Sequence, residues 1–277
     1  MPSPERPVIG FLSDFGFDGA AAICRGVMLS IARDAQIVDI SHSVAKYAIR
    51  EGAYLLWAAL PWLPVGVHVA VVDPGVGTER RPIGLRTGRG DLLVGPDNGL
   101  LLPAARRLGG ATEARLLEHR DWMLPNTSAT FHGRDIFAPM AAHLAVGEPF
   151  ERVGRLLAED SLVALEFAAP VVEEGLVSTT VLHVDSFGNL RLAGGVAELA
   201  AALGPIEPGT RLEIELPDST RPRDEHARYA RTFGETSAGD LLLYEDSSGN
   251  LALAESSGNA GRRLDVEPGA RLGIRRA

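Results

Sequence analysis

The stretch VHVAVVDPGVGTERR, residues 67–81, decides how the chain is read. Its first part is a near-continuous apolar run of strand length, rich in β-branched valine, as expected of a strand buried on both faces of a parallel sheet. The run ends on Asp73, and Pro74, Gly75 and Gly77 then supply the residues of a tight turn. An acid that closes so apolar a strand is desolvated and needs a partner. The turn can bring Arg80 back toward Asp73, a pairing that is often merely structural. It is not a phosphate loop, because neither GxxxxGK[ST] nor GxGxxG is present.

Working outward, strand and helix signals alternate. VIGFLS (8–13) and QIVDIS (36–41) read as further strands. Apolar spacing predicts a helix over 18–33, with Asp18 as its N-cap, and a second over 49–60 that stops before Pro61. Shorter strands are expected at 83–87 and 92–95, and helices at about 100–108 and 134–146. This alternation predicts an α/β domain with a mostly parallel central sheet. After Gly147 the texture changes. Acidic and proline punctuation suits a linker at about 166–175, between domains at 1–165 and 176–277. Beyond it lie short apolar runs (LVSTTVLHVD, LRLAG, RLEIEL, DLLLYED, NLALAES, RLGIR) separated by SFGN, SSGN and EPGA turns. That spacing suits a small β-barrel or sandwich with one short helix at 196–203. No internal repeat stands out.

Composition narrows the function. The 277 residues carry 27 Lys plus Arg against 36 Asp plus Glu, a net charge of −9. That balance argues against a nucleic-acid partner, whose phosphates must be met by cations. Lys46 is the single lysine, an arginine bias that specifies no site. Cys24, also alone, excludes an internal disulfide and a cysteine zinc site, and reads as a small buried hydrophobe. The apolar stretch at 53–72 is interrupted by Pro61, Pro64, Gly66 and His68, so a helix followed by a strand explains it better than a membrane span. MPSPERP at the start is polar and short, and the chain is expected in the cytoplasm.

Further polar clusters sit where chemistry could be placed. In SDFGFDG (13–19), Asp14 follows a buried strand and is suited to a ribose diol or to plain helix capping. In TFHGRD (130–135), His132 precedes a helix, and Gly133 beside it permits close approach. His143 lies too far along for a zincin motif. HVDSFGN (183–189) brings Asp185, Phe187 and Asn189 together, and 246–261 is rich in Ser, Gly and Asn. Taken singly, these last two are ordinary hairpin turns.

Taken in order, LSDFG, VVDPGVGTERR, VGPDNG, TFHGRDIFAP, VDSFGN and DSSGNLALA resemble the S-adenosyl-L-methionine hydrolase family (adenosyl-forming). That family is related to bacterial enzymes that fluorinate or chlorinate the same substrate. The resemblance implies an N-terminal α/β domain joined to a C-terminal β-barrel, and homotrimers whose sites lie between subunits. It implies hydrolysis of S-adenosyl-L-methionine to adenosine and methionine, with no cofactor and no metal. A halogenase and a non-catalytic adenosine-binding protein are the alternatives. By the same resemblance the catalytic triad falls on Asp73, Arg80 and His132, and Asp14 holds the ribose diol with Tyr47 against the sugar. Asp185 and Asn189, with Phe187 between them, face the methionine end. Ser247, Ser248, Asn259 and Ala260 close over methionine and adenine. Where the halogenating enzymes carry a Tyr-Ser pair, this chain has His132-Gly133, which favours water as the nucleophile.

Overall fold

The computed structural model describes residues 6–217 and 224–277, and the chain divides between Glu166 and Phe167 into two compact units. The first five residues of the polar MPSPERP opening lie outside the described residues.

The first unit runs β1 (Val8–Ser13), α1 (Ala20–Ile31), β2 (Gln36–Ser41), α2 (Ile49–Ala59), β3 (Val67–Val71), β4 (Pro82–Thr87), β5 (Leu92–Pro96), α3 (Leu102–Arg107), β6 (Ala111–Leu116), α4 (Ala138–Ala145) and β7 (Leu156–Leu157). Its sheet has the order β2-β1-β3-β5-β4-β6-β7. β2, β1, β3 and β5 are mutually parallel, whereas β4 runs antiparallel to both β5 and β6, and β6 to β7. The sheet is therefore mixed, with a parallel half around the stretch at 67–81. β4 and β5 are joined by a tight turn instead of a helical crossover, and such a connection can only make an antiparallel pair.

All five residues of β3 are buried. Ile9, Phe11, Val67, Val69 and Val71 point to one face, where they meet Cys24 and Met28 of α1 and Met140 and Leu144 of α4. Each such aliphatic side chain contributes roughly 1.5–3 kcal/mol of burial. The other face receives α2, whose Gly52 sits against Leu12, Val72 and Leu100. His68 is tolerated in β3 because its Nε2 lies 3.1 Å from Asp91 Oδ1 and Gly10 beside it has no side chain. The helix after β1 is capped one residue later than expected. Gly19, with φ 87°, is its N-cap, and Asp18 is exposed and makes no capping bond.

The second unit runs β8 (Val171–Glu173), β9 (Leu176–Val184), β10 (Leu190–Leu192), α5 (Val196–Leu203), β11 (Arg211–Glu215), β12 (Asp224–Tyr229), β13 (Leu241–Glu245), β14 (Leu251–Glu255), α6 (Ala260–Leu264) and β15 (Arg271–Arg276). β8 lies inside the segment whose composition suits a linker. The order β10-β14-β13-β12-β11-β15-β9 closes through β9–β10 pairing, giving a seven-stranded barrel. Alternate residues such as Leu190, Leu192, Leu212, Ile214, Leu241, Leu243, Leu251 and Leu253 fill its interior.

Candidate active site

β1 and β3 are parallel neighbours, and the chain leaves them toward opposite sides of the sheet, β2 lying beyond β1 and β5 beyond β3. Their carboxyl ends therefore flank a topological switch point, where open α/β sheets hold ligands. Asp14 follows β1 there and Asp73 follows β3. Between and above them lies a cavity of about 260 Å³ lined by Asp14, Tyr47, Asp73, His132 and Gly133, together with Phe15, Lys46, Val71, Val76, Thr130 and Phe131.

Asp73 is almost fully buried. The turn after it is tied by Val76 N–H to the Asp73 carbonyl (3.3 Å) and by Thr78 Oγ1 to the Gly75 carbonyl (2.7 Å). Gly77 is required in it, with φ 77° and a position for Cβ only 2.3 Å from the Ala129 carbonyl oxygen. The turn returns Arg80 onto Asp73 in a two-pronged pair, Nε donating to Oδ1 at 3.1 Å and Nη2 to Oδ2. Both side chains are buried, and the guanidinium lies 5.3 Å from the centroid of the Phe137 ring. Arg80 Nη2 also donates to His132 Nδ1 at 3.1 Å. Its Nη1 is buried with no hydrogen bond among the described residues.

His132 reaches this pair from the loop before α4. The Phe131 carbonyl accepts from Arg134 and Asp135, and Asp135 Oδ2 accepts from Ser128 N–H at 2.7 Å, which folds the loop back on itself. A π-helical turn, Gly133–Phe137, then leads into α4. Burial, and next the Arg80 charge, hold the His132 pKa below its ordinary value, against weaker opposing effects from Asp73 and Asp135. The imidazole is therefore neutral at pH 7. A guanidinium can only donate, so Nδ1 is the acceptor and the ring proton resides on Nε2.

Asp14 does not cap a helix. Its Oδ2 accepts from the Tyr47 backbone N–H at 2.9 Å, and Tyr47 adopts φ 67°, a conformation rare for a bulky residue. The Tyr47 side chain is exposed. Phe15, Lys46 and Thr130, which carry no sequence signal of a site beyond the place of Phe15 in SDFGFDG and of Lys46 as the single lysine, line the same cavity.

The second unit holds Asp185, Phe187, Asn189 and Ser247 around a cavity of about 620 Å³ with Arg191, Tyr244 and Asp246. DSFGN (185–189) and DSSGN (246–250) prove to be the same turn made twice. In the first, Asp185 Oδ1 accepts from Phe187 and Asn189 N–H, both at 3.0 Å. In the second, Asp246 Oδ1 accepts from Ser248 N–H at 2.7 Å and Asn250 N–H at 3.0 Å. Gly188 and Gly249 take φ 85° and 82°. Arg191 bridges the two turns, with Nη2 3.4 Å from Asp185 Oδ2 and Nη1 3.2 Å from Asp246 Oδ2. Ser248, Asn259 and Ala260 do not line this cavity. Asn259 Oδ1 caps α6 by accepting from Arg262 N–H at 2.8 Å, Ala260 is buried, and Gly261 N–H donates to the Gly188 carbonyl at 3.0 Å.

Among the described residues no group of three or more His, Cys, Asp or Glu is placed to hold a metal ion, and no helix is long and apolar enough to cross a membrane. Burial pushes the Cys24 thiol up to about 12, which suits a packing role.

The family model for the SAM hydroxide adenosyltransferase N-terminal domain matches residues 9–154, and that for its C-terminal domain matches residues 179–273. The chain belongs to the SAM hydroxide adenosyltransferase family. It is 44% identical to the (R)-S-adenosyl-L-methionine hydrolase of Salinispora tropica, over 97% of each chain. A more distant relative, the fluorinase of Actinopolyspora mzabensis, is 30% identical over 99% of each. In structure it resembles an uncharacterized conserved protein of Thermotoga maritima, with a TM-score of 0.89 and 35% identity over 97% of this chain and 100% of that one.

Proposed function

We propose that the chain hydrolyses S-adenosyl-L-methionine to adenosine and L-methionine by in-line attack of water or hydroxide on C5′. The observation that carries this reading is the Asp73–Arg80–His132 constellation at the switch-point cavity, in a chain closely related to named hydrolases.

The sulfonium makes C5′ electrophilic, and its leaving group is a neutral thioether, so no general acid is needed. The C5′–O bond forms as the C5′–S bond breaks, and the bonding electrons cancel the sulfur's charge. What the protein must supply is a nucleophile held close, in line and partly stripped of water. Arg80 stays cationic throughout the working pH range and stabilises hydroxide electrostatically. His132 Nδ1 is occupied by Arg80 and Nε2 carries its proton, so the imidazole serves as a donor that orients the nucleophile. The water's proton then goes to Asp73, whose oxygens each keep a lone pair beyond the bond to Arg80. Asp14 receives the ribose hydroxyls, its Oδ2 fixed by Tyr47 N–H.

In the same reading Asp185, Phe187 and Asn189 recognise the methionine end, and the chain works as a metal-free homotrimer in the cytoplasm, with its sites shared between subunits. The exposure of Tyr47 (66%) and Phe187 (77%), each lining one of the two cavities, supports such sharing, because large rings are rarely left open to water beside a ligand site. Light scattering tests the trimer, and unchanged turnover in EDTA tests metal independence. The deciding experiment is chromatographic product analysis with and without chloride. Adenosine in both arms supports hydrolysis, 5′-chloro-5′-deoxyadenosine would make the enzyme a halogenase, and no product at all would leave an adenosine-binding protein.

A further inference from the structure

Gly133 is buried beside His132, and the space above it is already taken. A Cβ placed there would lie 2.8 Å from Phe15 Cζ, 3.3 Å from Phe15 Cε2 and 3.6 Å from Val71 Cγ1. The first distance is shorter than carbon atoms tolerate, so the ring would have to move. It is not free to do so. Phe15 makes edge-to-face contacts with Phe11 (centroids 6.4 Å apart, 75° between planes) and with Phe131 (5.7 Å, 79°). Phe11 is fully buried and Phe131 immediately precedes His132 in the chain. The Phe15 backbone is held as well, its N–H donating to Ser13 Oγ at 3.3 Å while Gly16 N–H donates to the His42 carbonyl at 2.8 Å.

We propose that Phe15 determines nucleophile specificity by keeping position 133 bare. The inference rests on the hydrolase reading above. Phe15, Gly133, His132 and Asp73 line one cavity, so the ring and the missing side chain together set the shape of the wall beside the nucleophile. A side chain at 133 would drive the Phe15 ring out of its aromatic contacts and disturb His132 through Phe131. A hydroxyl-bearing residue at 133 can enter only if the ring becomes smaller. Selection of water therefore depends on two contacting residues that are 118 positions apart, and neither substitution alone changes it cleanly.

The test is a double-mutant cycle with wild type, Gly133→Ala, Phe15→Leu and the double variant. kcat and KM for adenosine release are measured separately, and a melting temperature is recorded for each protein. Gly133→Ala is expected to lower kcat at least tenfold and Phe15→Leu alone by a smaller factor. The double variant should regain about tenfold over Gly133→Ala, the coupling typical of residues in contact. In a second arm with chloride as the probe, Phe15→Leu/Gly133→Ser is expected to form 5′-chloro-5′-deoxyadenosine where wild type forms none. Additive effects in the cycle, or wild-type kinetics in Gly133→Ala, would overturn the steric coupling. Absence of chlorinated product from the folded double variant would overturn the selectivity. If Gly133→Ala does not fold, recovery of a melting transition by the double variant reports the same coupling, and its absence counts against it. A wild type that releases no adenosine would sink the hydrolase reading and with it the selectivity, leaving the coupling to the melting temperatures.

Discussion

The two units put carboxylates to use in opposite ways. In the first, Asp73 is held by Arg80 and, through it, by His132, which stands 52 residues from Arg80 in the chain. In the second, Asp185 and Asp246 spend their oxygens on backbone N–H groups two and four residues ahead, and Arg191 ties one turn to the other. The first arrangement exists only in the folded unit and is buried, so it presents oriented charge at low cost when a reaction begins. The second is local and shapes a loop. Changes in the first should appear in kcat, and changes in the second in KM and loop stability.

The largest expected effect comes from removing Asp73 or His132. Replacement of Asp73 by Ala should lower kcat for adenosine release by about 10²–10⁴-fold, the usual contribution of a positioned proton-transfer group, and loss of the His132 donor should lower it by about 10²–10³-fold. Substrate binding measured by calorimetry should persist. Near-normal turnover in either variant would erase the contrast drawn between the two units. Arg80→Met comes next and should reduce both activity and stability. It leaves a buried carboxylate without its cation, a change that typically costs about 3–5 kcal/mol. Denaturant unfolding of the variant measures it, and a loss below 1 kcal/mol would mean that Asp73 reaches water.

A smaller effect concerns pH. Burial and the Arg80 charge depress the His132 pKa, so the folded state binds this proton more weakly than the unfolded chain does. The stability contribution is complete above about 6.5, the ordinary imidazole value, and is lost as pH falls through the depressed one. The kcat profile should follow, flat at neutral pH with an acid limb centred below 6.5. A limb centred at or above that value would contradict a neutral imidazole donor.

Much of this contrast is legible in the sequence. The apolar run 67–72 followed by Asp73 marks a buried strand with a desolvated acid at its end, because burial on both faces removes the alternation that a half-exposed strand would show. The pairing of Asp73 with Arg80 follows from two glycines in seven residues. The antiparallel half of the sheet is harder to see. Its strands β4 and β6 are as long as β1 and β2, but strand direction is set by the connections rather than by anything within a strand. Asp18 looked like a helix cap because an acid before an apolar-periodic segment usually is one, yet Gly19 in the left-handed region starts the helix instead. Contact between Phe15 and Gly133 leaves no local mark, since it joins the ends of distant segments through a missing side chain. DSFGNLRL and DSSGNLAL share a pattern of residues, but it is the matching hydrogen bonds of their aspartates that make them the same turn.

Those twin turns supply the finest test. Asp→Asn at either position keeps a side-chain oxygen able to accept the same two backbone N–H groups, so each turn should persist. Each loses one charged partner of Arg191, which is partly exposed, and the stability cost should be similar and small in both, about 0.5–1.5 kcal/mol. The turns differ at their third residue. Asp185 adjoins Phe187, whose ring is open to solvent, and its Oδ2 also accepts from Asn189 Nδ2 at 3.0 Å, whereas Asp246 carries only serines between itself and Gly249. If Asp185 meets the substrate's methionine end, D185N should raise KM severalfold with kcat little changed, and D246N should leave KM within about twofold. Equal rises in KM would mean that both acids act only by shaping the loops that Arg191 joins. A fall in kcat without a change in KM for D185N would instead place part of the chemistry in the second unit, and the division between an interlocked catalytic centre and locally built recognition loops would fail.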